Sequence, residues 1–395
     1  MKPWILIVSG IVLAILLILW IFLFFAGDDA RADLFNALNF GDTTGEGLGL
    51  EDFFDTPGED GAVGQQLLRQ LSLRRAAGYA PYAATASSSA VVYMAEAGTG
   101  HIYTIDPITG MENRISNITI PTARHAVFSD DKTLAVVGSA DNANVLTIVT
   151  LPHGSTTLDS FTIAADAFSF SFTNNNILLY AEQSNSSVEA YAYNIAKKTK
   201  TALFTLPFRD ATIIWGATSG ATHLAYPRTA SHYEGYMYQI KSGTMSRLPI
   251  SGYGLSANAN APYAVFSKRV GDLYESSIYE TSSGRENPLS FAFLPDKCVL
   301  EGTHMLCGLS KQGYTTASPD TWYSGEVTYN DELWYTNLEF NTSEFVLDLE
   351  TESGRQLDVI NPRIQSDVAA AYFINKADQS LWIYEGDFIA NSSDN

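Results

Sequence analysis

From Tyr79 to Glu385 the chain alternates apolar and polar positions with period two. Short runs of β-branched and aromatic residues are separated by clusters of Gly, Asn, Asp, Ser and Pro. Helical periodicity is nearly absent, so the pattern predicts an all-β domain over 79–387. The N-terminus is patterned differently: Trp4 to Phe25 is an unbroken uncharged run. About 22 residues at 1.5 Å each cover roughly 33 Å, enough to cross the hydrocarbon core of a bilayer. Lys2 precedes the run and Asp28 and Asp29 follow it, which predicts a cytoplasmic N-terminus with everything after Phe25 outside. Ala30-Arg31-Ala32 offers the small residues of a cleavage site. The run, however, exceeds the h-region of a signal peptide and carries Trp20, Phe22, Phe24 and Phe25 to its end. Residues 1–27 are therefore expected to form an uncleaved transmembrane signal anchor, with residues 4–25 contacting lipid.

Between anchor and domain the charge is lopsided. From Asp28 to Gly61 ten acids oppose the single Arg31, which reads as a self-repelling stalk over 28–61. Val63, Leu67, Leu68 and Leu71 then fall at near-helical spacing, predicting a short helix and lead-in segment over 62–78. Residues 388–395 are left as a C-terminal tail.

Inside the β region the pattern repeats. His101 to Gly110 reads as a strand followed by a tight turn, and echoes of its strand follow at 145–149, 190–194, 235–239, 277–280, 333–335 and 381–384. The spacing, roughly 40 to 56 residues, is that of four-stranded propeller blades. A second marker, Ala126 to Val136, resembles the F-S-P-D-G-K-x-L-A-x hairpin of WD40-like and TolB-like propellers, and looser copies precede most echoes. The expected fold is thus a β-propeller of about seven four-stranded blades, near 86–120, 123–165, 168–208, 211–250, 253–290, 291–352 and 355–387.

The repeat turns have a local chemistry. Asp106 is placed to accept hydrogen bonds from amides two residues on, and Gly110 to take the positive φ that re-enters a strand; Asp130 and Asp131 hold the second marker's turn. Asp106-Pro107-Ile108-Thr109-Gly110 also resembles the D-x-x-T-G core of pyrroloquinoline-quinone propellers. Those propellers want a Trp where this chain has Arg114, and a single copy matches, so no cofactor is expected.

Cys298 and Cys307, the only cysteines, flank a sequence that reads as a hairpin with the two-residue loop Gly302-Thr303, Gly supplying the first position of a type II′ turn. Counting outward, Glu301 faces His304, Leu300 faces Met305, Val299 faces Leu306 and Cys298 faces Cys307. The cysteines then share a non-hydrogen-bonded rung, close enough for a disulfide. An oxidising space outside the membrane suits that bond.

A formal net charge of -20, with no basic clusters, argues against a nucleic-acid partner. The six histidines are scattered, and H-E-x-x-H, G-x-S-x-G and P-loop motifs are absent, so no catalytic or metal residue is assigned. Tyr314 to Trp334 is dense in aromatics. Trp322, Tyr323, Tyr329 and Trp334 are candidate binding rings for a protein or glycan, or else fill the gap between blades.

Together the anchor, Gly100 to Asp106, Arg114 to Pro121, the Lys297-Cys298 to Cys307 hairpin, Trp322-Tyr323-x-Gly325 and Asp331-x-x-Trp334 resemble a family of membrane-anchored WD40/TolB-like β-propellers of Patescibacteria. The family tends to show Pro-Val-Ala-Gly where this chain has Arg75-Ala76-Ala77-Gly78. The resemblance implies the fold and the compartment and supplies no activity. The expected function is a binding or scaffold module on the outer side of the cytoplasmic membrane, recognising an envelope or surface protein or glycan. The alternative is an envelope hydrolase working at the central channel.

Overall fold

The computed structural model describes residues 67–388, apart from 86–87, 140–144, 152–158, 164–166, 174, 229, 316, 366–368 and 387. The expected anchor, the stalk, the start of the 62–78 segment and most of the tail lie outside the described residues. Among the described residues no helix is long and apolar enough to cross a membrane.

The chain runs as successive antiparallel meanders. Strand β1 is Leu68–Ser72; β2 to β5 are Ala76–Tyr82, Val91–Glu96, Ile102–Ile105 and Glu112–Arg114. Strands β6 to β9 are Ala123–Phe128, Leu134–Ser139, Val145–Thr150 and Ser160–Ile163, and β10 to β13 are Ala167–Phe172, Ile177–Gln183, Val188–Asn194 and Thr199–Leu206. Next come β14 (Ala211–Ile214), β15 (His223–Pro227), β16 (Glu234–Lys241), β17 (Thr244–Asn260), β18 (Tyr263–Val270), β19 (Leu273–Glu280) and β20 (Arg285–Pro288). Strands β21 to β24 are Cys298–Glu301, His304–Ser310, Asp331–Asn337 and Thr342–Asp348; β25 to β27 are Val359–Gln365, Ala370–Asn375 and Leu381–Glu385. They form five four-stranded sheets and one seven-stranded sheet, β14 to β20, in which the long β17 belongs to two meanders.

Each aromatic echo falls on the third strand of its meander: β4, β8, β12, β16, β19, β23 and β27. Burial on both faces makes some of these strands nearly continuous in apolar residues, as in β27, while others alternate. In β12, for instance, Val188, Ala190 and Ala192 are buried and the residues between them half-buried.

Hydrophobic layers join the meanders in sequence. Ala95 and Ile102 pack on Ala135 and Val137, Val136 and Ile148 pack on Leu178 and Tyr180, and so on round to Leu306 and Leu333 against Phe373 and Trp382. The last sheet packs on the first, with Tyr372 and Ile383 against Tyr79 and Met94. The sheets therefore close into a ring, which leaves no open face at either end of the series.

Closure uses a strand the sequence concealed. Leu68–Ser72, expected as part of a helix, is the outer strand of the last sheet: Leu68 pairs with Tyr384 and Gln70 with Trp382. The helical spacing of Leu68 and Leu71 arises because a register shift between Gln70 and Ser72 turns both leucines inward, where they are 0% and 4% exposed. The first meander also begins at Ala76, earlier than the expected 86. Ala76-Ala77-Gly78 carries little β propensity, but it is small for a reason. A Cβ on Gly78 would sit 2.0 Å from the Ala126 carbonyl oxygen, where β2 and β6 approach at the ring's centre.

The candidate functional site

The first strands of the meanders face inward and line a channel. One cavity of about 440 Å³ is walled by β2, β6, β14, β17, β21 and β25, with Tyr79, His125, Asn258, Asn260 and Arg363 on its surface. Through Thr212, Ile213 and Asp296 it shares a wall with a second cavity of about 480 Å³ that adds Gln183, Asp210, Tyr226, Arg228 and Tyr323.

The segment between β22 and β23 borders that second cavity through Pro319 and Tyr323, held by its short helix α1 (Asp320–Tyr323). Three consecutive contacts pin it to three parts of the ring. The Asp320 carboxylate accepts from the Ser231 amide (2.9 Å) and hydroxyl (2.7 Å). Trp322 Nε1 donates to Asp358 at 2.9 Å, and Tyr323 Oη donates to Asp296.

Asp296 owes its place to its neighbour. Both belong to the 3-10 turn Pro295–Lys297, and Lys297 turns inward, fully buried, with Nζ 2.7 Å from Asp331 and 2.6 Å from Asp358. The remaining oxygens of those carboxylates are also satisfied: Asp331 accepts from the Val359 amide and Asp358 from the Tyr329 amide and Trp322. The buried cluster fixes the turn, and the turn presents Asp296 to the channel.

Asp296 is exposed to channel water but ringed by protein; that surrounding protein raises its pKa, against the hydrogen bond from Tyr323 and the Arg228 charge, both of which lower it. Burial likewise pushes Asp331 up to about 6, although Lys297 opposes it. His125 is open to channel water yet walled by protein elsewhere. That enclosure, and then the Arg363 charge, holds its pKa below the usual imidazole value.

The residues singled out in the sequence divide. Cys298 and Cys307 are disulfide-bonded, with Cα atoms 4.1 Å apart. Their register is Cys298 with Cys307, Val299 with Leu306, Leu300 with Met305 and Glu301 with His304, and Gly302 has φ +58°. Of the four aromatic rings, Trp322 (3% exposed) and Tyr329 (8%) are core, so as surface binding rings they are excluded by burial. Trp334 is half-buried between Phe291 and Phe345. Tyr323, 42% exposed, alone reaches the channel.

The turn residues are structural. Asp106 Oδ1 accepts from the amides of Ile108 (2.8 Å) and Thr109 (3.1 Å), bonds that lower its pKa, and Gly110 has φ +70°. Asp131 accepts from Ser129, Thr133 and Asn176; these bonds outweigh its partial burial and hold its pKa down at about 2. Asp130 is exposed beside it.

Asp210, Arg228, Asp296 and Arg363 were not legible as a site, because they lie in different meanders and share no motif. The one available signal was position. Asp210 stands just before an inner strand, Asp296 two residues before another, and Arg363 within a third.

Comparison with solved structures decides the architecture. An oligogalacturonate lyase in complex with manganese superposes with a TM-score of 0.52 at 12% identity, over 75% of this chain and 85% of that one. The β-propeller domain of the trilobed protease from Pyrococcus furiosus, described as having an open velcro topology, gives 0.50 at 8% identity over 75% and 90%. The fold is a β-propeller. A chain of the mitotic checkpoint complex also matches, with a TM-score of 0.50 at 10% identity over 75% and 86%. Such breadth of use means that the propeller fold selects no activity. No family model and no curated protein matches the sequence. Unlike the open velcro described for the Pyrococcus domain, this propeller pairs its first strand with its last. Among the described residues no three His, Cys, Asp or Glu side chains are grouped so as to hold a metal ion.

Proposed function

We propose that this chain is a membrane-anchored binding module, a propeller held outside the cytoplasmic membrane by Trp4 to Phe25 and the acidic stalk, recognising an envelope or surface protein or glycan at the mouth of its channel. The observation that carries the reading is the mouth itself. Carboxylates (Asp210, Asp296), a guanidinium (Arg228), an amide (Gln183) and an aromatic ring with its hydroxyl (Tyr323) converge on one cavity, the mixture that hydroxyl-rich ligands require. We read the ring as seven four-stranded blades, with the seven-stranded sheet made of two meanders fused through β17. Its pairing with β18 shifts register between Tyr253 and Ser256, which supports that division. The resemblance to anchored propellers of Patescibacteria supports the same compartment.

A hydrolase remains the second reading because the raised pKa of Asp296 is what a general acid needs. One experiment separates the two. Full-length protein in detergent is incubated with a panel of envelope glycan fragments, and the fragments are analysed after elution. Binding with intact recovery, lost in Asp296→Asn and Arg228→Gln, supports recognition; cleaved fragments support the enzyme. Protease added to spheroplasts should reach the propeller, and complete protection would remove the outside placement.

A further inference from the structure

A second feature of the channel lies in the adjoining cavity walled by β2, β6, β14, β17, β21 and β25. Arg363 stands on β25, just after a register shift between Ile360 and Arg363 in which Asn361 takes φ +49°. The irregularity re-aims the chain there, and Arg363 lines that cavity beside Tyr79, its guanidinium carbon 5.8 Å from that ring's centre. Tyr79 is itself fixed, donating from Oη to the carbonyls of Asn361 (2.7 Å) and Tyr372 (2.8 Å).

Among the described residues Arg363 has no carboxylate partner. The single acid on the wall of that cavity is Asp296, which takes the Tyr323 hydroxyl and feels the charge of Arg228. Its neighbours are neutral: burial raises the pKa values of Tyr79 and Tyr82 against the opposing Arg363 charge, and burial and then that charge lower the pKa of His125. A chain of net charge -20 has acids to spare for its surface arginines. Arg363 is exposed to the channel, and an arginine that lines a cavity without a carboxylate partner among the described residues is a defined feature of it. Its planar fork, open to the channel, matches the paired oxygens of a carboxylate or phosphate.

We propose that this cavity is an oxyanion site, in which Arg363 binds the carboxylate or phosphate group of a small molecule with the His125 imidazole alongside. His125 sits on β6, its ring 4.9 Å from that of Phe170 on β10, and lines the same cavity as Arg363. The rest of the ligand would extend toward Asp296, where the two cavities meet. The site is distinct from the glycan-type recognition proposed for the mouth and stands or falls without it.

The test uses the full-length protein in detergent, titrated with inorganic phosphate and, separately, acetate, against chloride at constant ionic strength. Thermal unfolding should shift upward and saturably with at least one of the first two, and which one responds identifies the group. Arg363→Gln should weaken the response at least tenfold, Arg363→Lys should retain part of it, and Arg285→Gln, on an outer strand, should leave it unchanged. Equal responses to all three anions, or a full response in Arg363→Gln, would overturn the proposal. Should Arg363→Gln fail to fold, the imidazole resonance of His125 in the unaltered protein decides. An anion beside the ring raises its titration midpoint, whereas a midpoint indifferent to both anions rejects the site.

Discussion

Lys297 and Asp331 meet at 2.7 Å with both side chains 0% exposed, and Asp358 completes the cluster from the next sheet. The cluster ties the starts of β23 and β25 to the turn that carries Asp296. Removing the cation leaves two buried carboxylates facing each other. Lys297→Met should cost about 3–5 kcal/mol in urea unfolding, the usual cost of breaking a buried pair from one side. A loss below about 1 kcal/mol would show that the cluster is dispensable.

The same cluster predicts a pH dependence. Asp331 titrates at about 6 in the folded protein, above the ordinary aspartate value near 4 of an unfolded chain. Its folded form holds the proton more tightly, so its stabilising contribution is complete below about pH 4 and is lost as pH rises through 6. Relative to Asp331→Asn, the wild type should therefore gain stability between pH 7 and pH 5. Denaturant titrations at the two values check the sign, and a wild-type advantage that grows with rising pH would reverse the argument.

Closure by β1 predicts a second class of failure. Leu68 is fully buried with Leu357, Phe373, Trp382 and Tyr384. Leu68→Ala should cost about 2–5 kcal/mol. Truncation through Ser72 should be worse than destabilising, because it bares the edge of β27 and invites pairing between copies. A monomeric, stable truncation by light scattering would mean that the ring does not depend on this strand.

At Gly78 any side chain meets the Ala126 carbonyl. Gly78→Ala should cost about 1–3 kcal/mol through overpacking at the centre of the ring. Gly302→Ala, with nothing within 4 Å of the added carbon, should be affected only through its positive φ. Comparing the two midpoints separates crowding from backbone strain.

Reducing the Cys298–Cys307 bond should lower stability by about 2 kcal/mol and leave the fold intact, since the loop it closes is short and the ring supplies the core. Two labelled thiols in protein isolated without reductant would show the bond absent.

Period-two patterning and its recurrence determined the all-β fold, and the repeated apolar and aromatic runs placed the third strand of every meander, because those strands lie in the middle of the blades where apolar burial is greatest. The hairpin register of Cys298 and Cys307 was likewise fixed locally, by Gly302 and simple counting. Tertiary structure decided the rest. Leu68–Ser72 is a strand only because β27 offers it a free edge more than three hundred positions later, and Gly78 within Ala76–Tyr82 is glycine because the Ala126 carbonyl of the neighbouring inner strand leaves no room for a Cβ. Sequence left Trp322 and Tyr329 open between binding rings and fillers between blades; the structure buries both, with Trp322 Nε1 on Asp358 and the Tyr329 hydroxyl on Ser318. Asp296, Arg228, Asp210 and Arg363 become a channel only on closure, since convergence of residues from separate meanders is a property of the ring and leaves no trace in any local stretch of sequence.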